Sequence, residues 1–182
     1  SSTCLIMADR NRYSVDARAA GRMVLVRTHA ERIVVLLGEE VVAEHARQFR
    51  RDQIIYSPWH YLPVLRRKPG ALRNGAPFKD WNLPGSMTRL RERLARHADG
   101  DRQFVDILSM VALYGLEAVS DACAVALEEQ VVSSAHVVNL LHRANALQAC
   151  DEALRFRRIV KCVARRHGMD ATFLSKPYVD MA

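Results

Sequence analysis

Seven histidines, four cysteines and 20 carboxylates are the groups in this chain that could ligate a metal, attack a substrate or move a proton. Their spacing supports none of these tasks. Cys4, Cys123, Cys150 and Cys162 stand far apart with no paired interval. His29, His45, His60, His97, His136, His142 and His167 show no ligand spacing with cysteine or acid partners, so no metal site is expected. Ser134 and His136 are near in sequence, but no strand–turn–helix elbow surrounds them, which disfavours a triad. No glycine-rich loop that could cradle phosphates occurs, which argues against an independent ATPase and leaves no cofactor expected. Asp9, Asp16, Glu39, Glu40 and Glu44 fall in expected turns and strand ends and read as surface charge. No catalytic residue is expected. What remains is positive charge.

The net charge is +7, unevenly placed. Arg47, Arg50, Arg51, Arg66, Arg67, Lys68 and Arg73 face a single acid, Asp52, within the span they define. Any one of them is explained by a solvated surface, whereas the cluster suits a polyanion. Composition leaves nucleic acid and an acidic protein surface nearly tied. Arg10, Arg12, Arg22 and Arg27 add to the same half of the chain. Contacts of such side chains go mainly to phosphates and position a protein without reading sequence. Trp59, Tyr61 and Trp81 could stack on bases, although as connector aromatics they more readily pin a linker to a core. The basic helix near Arg158 could lie on a membrane surface, but a solvated face opposite a buried stripe is the commoner case and no membrane partner is expected.

The elements that must position these groups fall into two halves around the stretch Ser57–Phe78. Runs at 3–7, 13–15, 23–27, 32–37 and 41–45 favour strands, with turns at Asp9-Arg10-Asn11, Ala20-Gly21, His29-Ala30 and Gly38-Glu39. Five short antiparallel strands are best satisfied by a small closed barrel, which removes exposed edges. In the central stretch Ser57-Pro58 reads as a helix start, Pro69-Gly70 as its end, and Asn74-Gly75 as a turn in which positive φ is cheap. Beyond it, Met87, Leu90 and Leu94 share a face, and Asp101 is expected to cap a helix carrying Phe104, Ile107, Leu108, Val111 and Tyr114. An alanine-rich helix follows, and Ser133 or Ser134 caps another, giving a bundle. A separate helix from Ala149 to His167 and a strand-like run at 171–174 complete a tail. The expected class is α+β, divided as barrel 1–55, connector 56–83, bundle 84–147 and tail 148–182. No apolar run approaches the roughly 20 residues that cross a bilayer, and no signal pattern opens the chain, so four reduced, mostly buried thiols in a cytoplasmic protein are expected.

Trp59-His60-Tyr61-Leu62-Pro63, together with Lys68-Pro69-Gly70-Ala71-Leu72-Arg73-Asn74-Gly75-Ala76-Pro77-Phe78, closely resembles the C-terminal part of IstA-type transposases. Those belong to two-gene insertion sequences that also encode an IstB ATPase. Asp9-Arg10-Asn11-Arg12-Tyr13-Ser14-Val15 and Gly115-Leu116-Glu117-Ala118-Val119 match the same family, and the resemblance covers about 1–147. It implies a small β-barrel following a catalytic core that would lie upstream of Ser1, where three carboxylates hold two metal ions. Asp16 departs from the proline that the family often has. The tail differs: Asp151-Glu152-Ala153-Leu154-Arg155-Phe156 and His167-Gly168-Met169-Asp170-Ala171-Thr172-Phe173-Leu174-Ser175-Lys176-Pro177-Tyr178 resemble glutamine synthetase-like enzymes, especially γ-glutamyl-amine ligases. In that family Lys-Pro leads into a Gly-x-Gly-x-His loop of the ATP and substrate site, which this sequence does not reach. The resemblances imply a non-catalytic DNA-binding and assembly region of a transposase in a truncated hybrid frame. Its partners would be DNA through the phosphate backbone, an IstB-type ATPase, or transposase self-association. The alternatives are a module docking the ATPase, or a non-functional ligase fragment.

Overall fold

The computed structural model describes residues 3–169 and 171–173. The chain forms two compact units, Ser1–Val137 and Val138–Ala182.

The first unit opens with a hairpin, β1 (Leu5–Ala8) against β2 (Asn11–Ser14), in the register Ala8 opposite Asn11. Asp9 and Arg10 close it with φ of 48° and 62°, both left-handed, which is the backbone that matches the twist of a two-residue hairpin. β3 (Leu25–Thr28), β4 (Arg32–Leu37) and β5 (Glu40–Ala46) form an antiparallel meander with an irregularity at Val35/Leu36. Ile33, Val34, Val35 and Leu36 are all buried, so β4 packs on both faces, as its unbroken β-branched run suggests. All five expected strands are present. A sixth, β6 (Ile54–Ile55), was not anticipated, and it runs parallel to β2 rather than antiparallel. Its direction is imposed by the loop before it, which side-chain hydrogen bonds lay along β2, as described below.

The strands pair as two three-stranded sheets, β1-β2-β6 and β3-β4-β5. Individual bonds cross between them: the Asp16 N–H donates to the Val42 carbonyl at 3.1 Å, and His45 Nε2 donates to the Ser14 carbonyl at 2.6 Å. Tyr13, Val15, Ile33, Val35 and Ala43 form the apolar interior.

The central stretch is helical almost throughout. A 3₁₀ turn at Pro58–Tyr61 leads into α1 (Leu62–Arg67), and Lys68 ends it. Ser57 makes no capping bond with its side chain, so Pro58 alone carries the start signal. The expected turn at Asn74-Gly75 is instead the end of a single helical turn, α2 (Ala71–Asn74). Gly75 has φ of −66°, so conformational freedom is not its reason. A Cβ there would lie 2.7 Å from the Ala71 carbonyl oxygen and 2.8 Å from the Phe78 ring, so the glycine permits close approach.

α3 (Gly85–Leu94), α4 (Gly100–Tyr114), α5 (Leu116–Glu128) and the start of α6 (Ser134–Arg166) follow. The first three pack on one another through Met87, Leu90, Leu94, Phe104, Ile107, Leu108, Val119 and Ala126, all fully buried. Each of these side chains larger than alanine contributes about 1.5–3 kcal/mol relative to exposure. Asp101 lies inside the first turn of α4 and makes no cap; its carboxylate takes the Arg73 guanidinium at 2.6 Å. Gly115, with φ of 83°, makes the break between α4 and α5. Ser133 caps α6 by accepting the His136 N–H at 3.2 Å.

The expected separate tail helix does not exist: α6 runs without a break for 33 residues. His142 to Glu152 contains neither glycine nor proline and includes Ala144, Ala146 and Ala149, so nothing there interrupts helix propagation. Within the second unit the helix ends at Gly168 (φ 69°), where the Met169 N–H reaches the Ala164 carbonyl at 2.9 Å and the Gly168 N–H the Arg165 carbonyl at 3.1 Å. Leu154, Phe156, Ile159 and Val163 are exposed, and the Phe173 ring meets Phe156 edge-on at 6.3 Å. Ala171, Thr172 and Phe173 belong to no strand; the rest of that expected run lies outside the described residues. Cys4 and Cys123 are buried, whereas Cys150 and Cys162 are exposed, so only half of the thiols are interior.

Candidate nucleic-acid interface

The basic surface is built around one neutral side chain. Asn11 opens β2 and is 1% exposed. Its Nδ2 donates to the carbonyl oxygens of Gln48 (2.9 Å) and Arg50 (2.7 Å), and its Oδ1 accepts the Gln53 N–H at 3.0 Å. The backbone adds two bonds across the same gap, Asp52 N–H to the Arg10 carbonyl at 3.0 Å and Arg12 N–H to the Gln53 carbonyl at 2.8 Å. Tyr13 Oη accepts the Gln48 N–H at 3.1 Å. The loop 48–53 is thereby laid along β2, which brings Arg50 and Arg51 beside Arg10 and Arg12. All four arginines are exposed. Among the described residues none of the four is in an ion pair. Sequence spacing placed the pairs some 40 positions apart; the buried amide makes them one patch.

Arg47 and Arg73 differ from that set. Arg47 Nε bonds Asp9 Oδ2 at 2.6 Å and its Nη1 bonds the His29 carbonyl at 3.1 Å, while Arg73 is held by Asp101. Their charge is answered inside the chain, which leaves Arg50, Arg51, Arg66, Arg67 and Lys68 as the cations of the original cluster with no ion pair among the described residues. Arg66 and Arg67 project from α1 and, with Leu62, Pro63, Ser109 and Ala112, line an open concavity of about 410 Å³. Arg22 and Arg27 are exposed on another part of the same unit, Arg27 within β3.

The connector aromatics take the structural role. The Trp59 ring stands edge-on to Trp81 at 4.9 Å, Trp81 lies 5.7 Å from Phe78, and Phe78 meets Tyr61 at 6.2 Å. Tyr61 is buried, donates its hydroxyl to the Thr3 carbonyl at 3.4 Å, and is held neutral by burial, which raises its pKa. Pro69 and Gly70 form the link between α1 and α2, and Asn74 is exposed at the end of α2. His60 ties the connector to the sheets. Its Nδ1 shares a 2.9 Å hydrogen bond with Ser14 Oγ, which also accepts the Ser57 N–H at 2.7 Å. The His60 and His45 rings meet edge-on at 5.4 Å. Burial pushes the His60 pKa down to about 4, with the neighbouring His45 adding to the depression, and burial lowers His45 too. Both imidazoles are therefore neutral at pH 7. Burial raises the Cys123 thiol to about 12.

Sequence reading missed Phe49. It precedes Arg50, is 78% exposed, and has the Arg47 guanidinium over its ring at 5.4 Å. A large apolar side chain between basic residues was the available signal. Among the described residues no group of three His, Cys, Asp or Glu is placed to hold a metal ion, and no helix is long and apolar enough to cross a membrane.

Comparison with known proteins divides along the same chain. The family described as Mu transposase, C-terminal domain, matches residues 1–57, the region that carries all six strands found among the described residues. A transposase of Aminobacter aminovorans is 45% identical over 146 residues, 78% of this chain and 28% of the relative. The transposase for insertion sequences IS1326/IS1353 of Pseudomonas aeruginosa is 43% identical over 148 residues, 79% of this chain and 29% of the relative. The family described as glutamine synthetase, catalytic domain, matches residues 91–182. The gamma-glutamylputrescine synthetase of Escherichia coli is 34% identical over 100 residues, 54% of this chain and 21% of that enzyme. Over its first part the chain is similar to insertion-sequence transposases, and over its second it belongs to the glutamine synthetase catalytic-domain family. It spans less than a third of the length of the transposases it matches. The ligase match begins at residue 91, well before the expected start near 148, and the two matches overlap across part of the helical half. No solved structure gives a significant match.

Proposed function

We propose that the first unit is a non-catalytic DNA-binding and assembly module of an insertion-sequence transposase, and that it acts on the phosphate backbone of DNA in the cytoplasm. The observation that carries this is the patch of Arg10, Arg12, Arg50 and Arg51, unpaired among the described residues and held together by the buried Asn11. Four exposed cations gathered on one surface repel one another, and a polyanionic partner offsets that repulsion. The two sheets, linked by the Asp16–Val42 and His45–Ser14 bonds, are read as one barrel-like platform that presents the patch. Arg66, Arg67 and Lys68 supply a second set of phosphate contacts from α1. The presence of two families on one chain supports a hybrid reading frame, in which transposase sequence continues into ligase sequence. Reading the genomic sequence on both sides tests that origin: a transposase catalytic core upstream and a Gly-x-Gly-x-His loop downstream are expected.

The binding test is a fluorescence anisotropy titration of the full chain with duplex DNA at several salt concentrations. The four contacts of the patch alone give a slope of log K against log salt near −4, from about −0.9 per contact, and engagement of the α1 set steepens it. Replacing Arg50 and Arg51 by alanine flattens the slope by about two of these units and leaves sequence preference unchanged. Absence of binding at low salt would refute the DNA reading, and the patch would then be a dock for an acidic protein surface such as a partner ATPase.

A further inference from the structure

Phe49 and Arg47 form an arrangement that phosphate binding does not use. The Arg47 guanidinium is fixed from two sides, by Asp9 Oδ2 at 2.6 Å and by the His29 carbonyl at 3.1 Å, and lies over the Phe49 ring at 5.4 Å. That contact stacks a cation against the aromatic ring and orients it. The residue nevertheless remains 78% exposed. Asp9, Arg10, Arg47, Gln48, Phe49 and Arg51 together line an open concavity of about 210 Å³. Arg10 and Arg51, both exposed, stand at this concavity with no ion pair among the described residues. The loop bearing Phe49 is not loose, because Asn11 and Tyr13 clamp Gln48 and Arg50 on either side of it.

We infer that this concavity receives one unpaired nucleotide of a DNA strand, its base stacked on the exposed surface of Phe49 and its phosphate between Arg10 and Arg51. The inference rests on the DNA-binding reading and specifies it. A duplex hides its bases in the stack, so an aromatic platform beside two cations adds affinity only where a base is unstacked, at a single-stranded end or an opened junction. Base–aromatic stacking tolerates any base, because each presents a π face, and Gln48 beside the ring offers polar groups at its edge. A protein partner would be expected to cover Phe49 with apolar surface, yet the lining here is five polar or charged residues to one apolar.

The test compares full-length chain and its Phe49→Ala and Phe49→Tyr variants, each checked for native circular dichroism and melting temperature. Two probes are titrated by anisotropy: a fluorescein-labelled 12-mer of thymidine and a blunt duplex of the same length. Loss of one stack weakens single-strand binding by about 5- to 150-fold. Phe49→Ala is expected to show that loss on the 12-mer with less than a twofold change on the duplex. Phe49→Tyr restores the single-strand affinity. Equal weakening of both probes by Phe49→Ala, or no change on either, overturns the stacking inference while leaving the phosphate reading in place. Failure of the unaltered chain to bind either probe at low salt overturns both.

Discussion

Replacing Asn11 with alanine is the sharpest perturbation of the proposed surface, because it alters no charge. The wild-type amide makes three hydrogen bonds, to the carbonyls of Gln48 and Arg50 and from the N–H of Gln53. Alanine leaves those three backbone groups without that partner, at about 1 kcal/mol for each bond. A loss near 3 kcal/mol follows, a large part of the roughly 5–15 kcal/mol by which domains are stable. For a chain of this size, about 2–4 °C per kcal/mol converts that to a fall of roughly 6–12 °C in melting temperature. The same change loosens loop 48–53, which keeps only its two backbone bonds and the Tyr13 contact, so Arg50 and Arg51 are held less firmly in register with Arg10 and Arg12. Duplex affinity should fall and the salt slope flatten by up to about two contacts' worth. The assay is thermal unfolding by circular dichroism paired with anisotropy titration on the same preparation. Asn11→Asp is the companion variant. It keeps the acceptor for Gln53 but faces two carbonyls with a carboxylate, so it should be the less stable of the two at pH 7 and recover as acid protonates it. A melting temperature within 2 °C of wild type for Asn11→Ala, with unchanged DNA binding, would refute the claim that this amide organises the patch.

The neutral histidine pair makes stability pH-dependent. His60, near 4 in the fold, and His45, also depressed, both return to about 6.5 when unfolded, so the unfolded chain takes up protons first as pH falls. Stability is therefore full above about 6.5 and declines between there and about 4; urea midpoints at pH 7.5, 5.5 and 4.5 should show this, with a shallower decline in His60→Gln. Glycine substitutions should separate by contact. Gly100→Ala puts a methyl into the Leu94 carbonyl and Gly75→Ala presses on Ala71 and Phe78, whereas Gly70 has open space around it. Melting temperatures should fall most for Gly100→Ala, by an amount reflecting about 1–3 kcal/mol or more for the forced shift, and least for Gly70→Ala, where a stable Gly75→Ala would contradict the packing account.

Element types were legible in the amino-acid sequence because they follow from short-range rules. Alternation and β-branching marked β1 to β5, the spacing of Met87, Leu90 and Leu94 marked α3, and Asp9-Arg10-Asn11 marked the first hairpin. The family signal was legible too, since an ungapped run such as Lys68 to Phe78 is recognisable without coordinates. Positive charge in the first half was equally plain. Which charges are available was not. Arg47 and Arg73 stand in the same run as Arg50 and Arg66, yet Asp9 and Asp101 answer the first two, the latter from another helix. The roles of Asn74-Gly75 and Asp101 were misread for the same reason: local propensity allowed a turn and a cap, while packing against Phe78 and pairing with Arg73 decided otherwise. β6 has too few residues to carry a pattern of its own and exists because Asn11 draws the loop before it along β2. Local patterns thus carried β1 to β5, α3, the excess of cations and both family resemblances. Which arginines share a surface is set by the fold, because a buried amide acts across 37 to 42 positions and leaves no local periodicity to read.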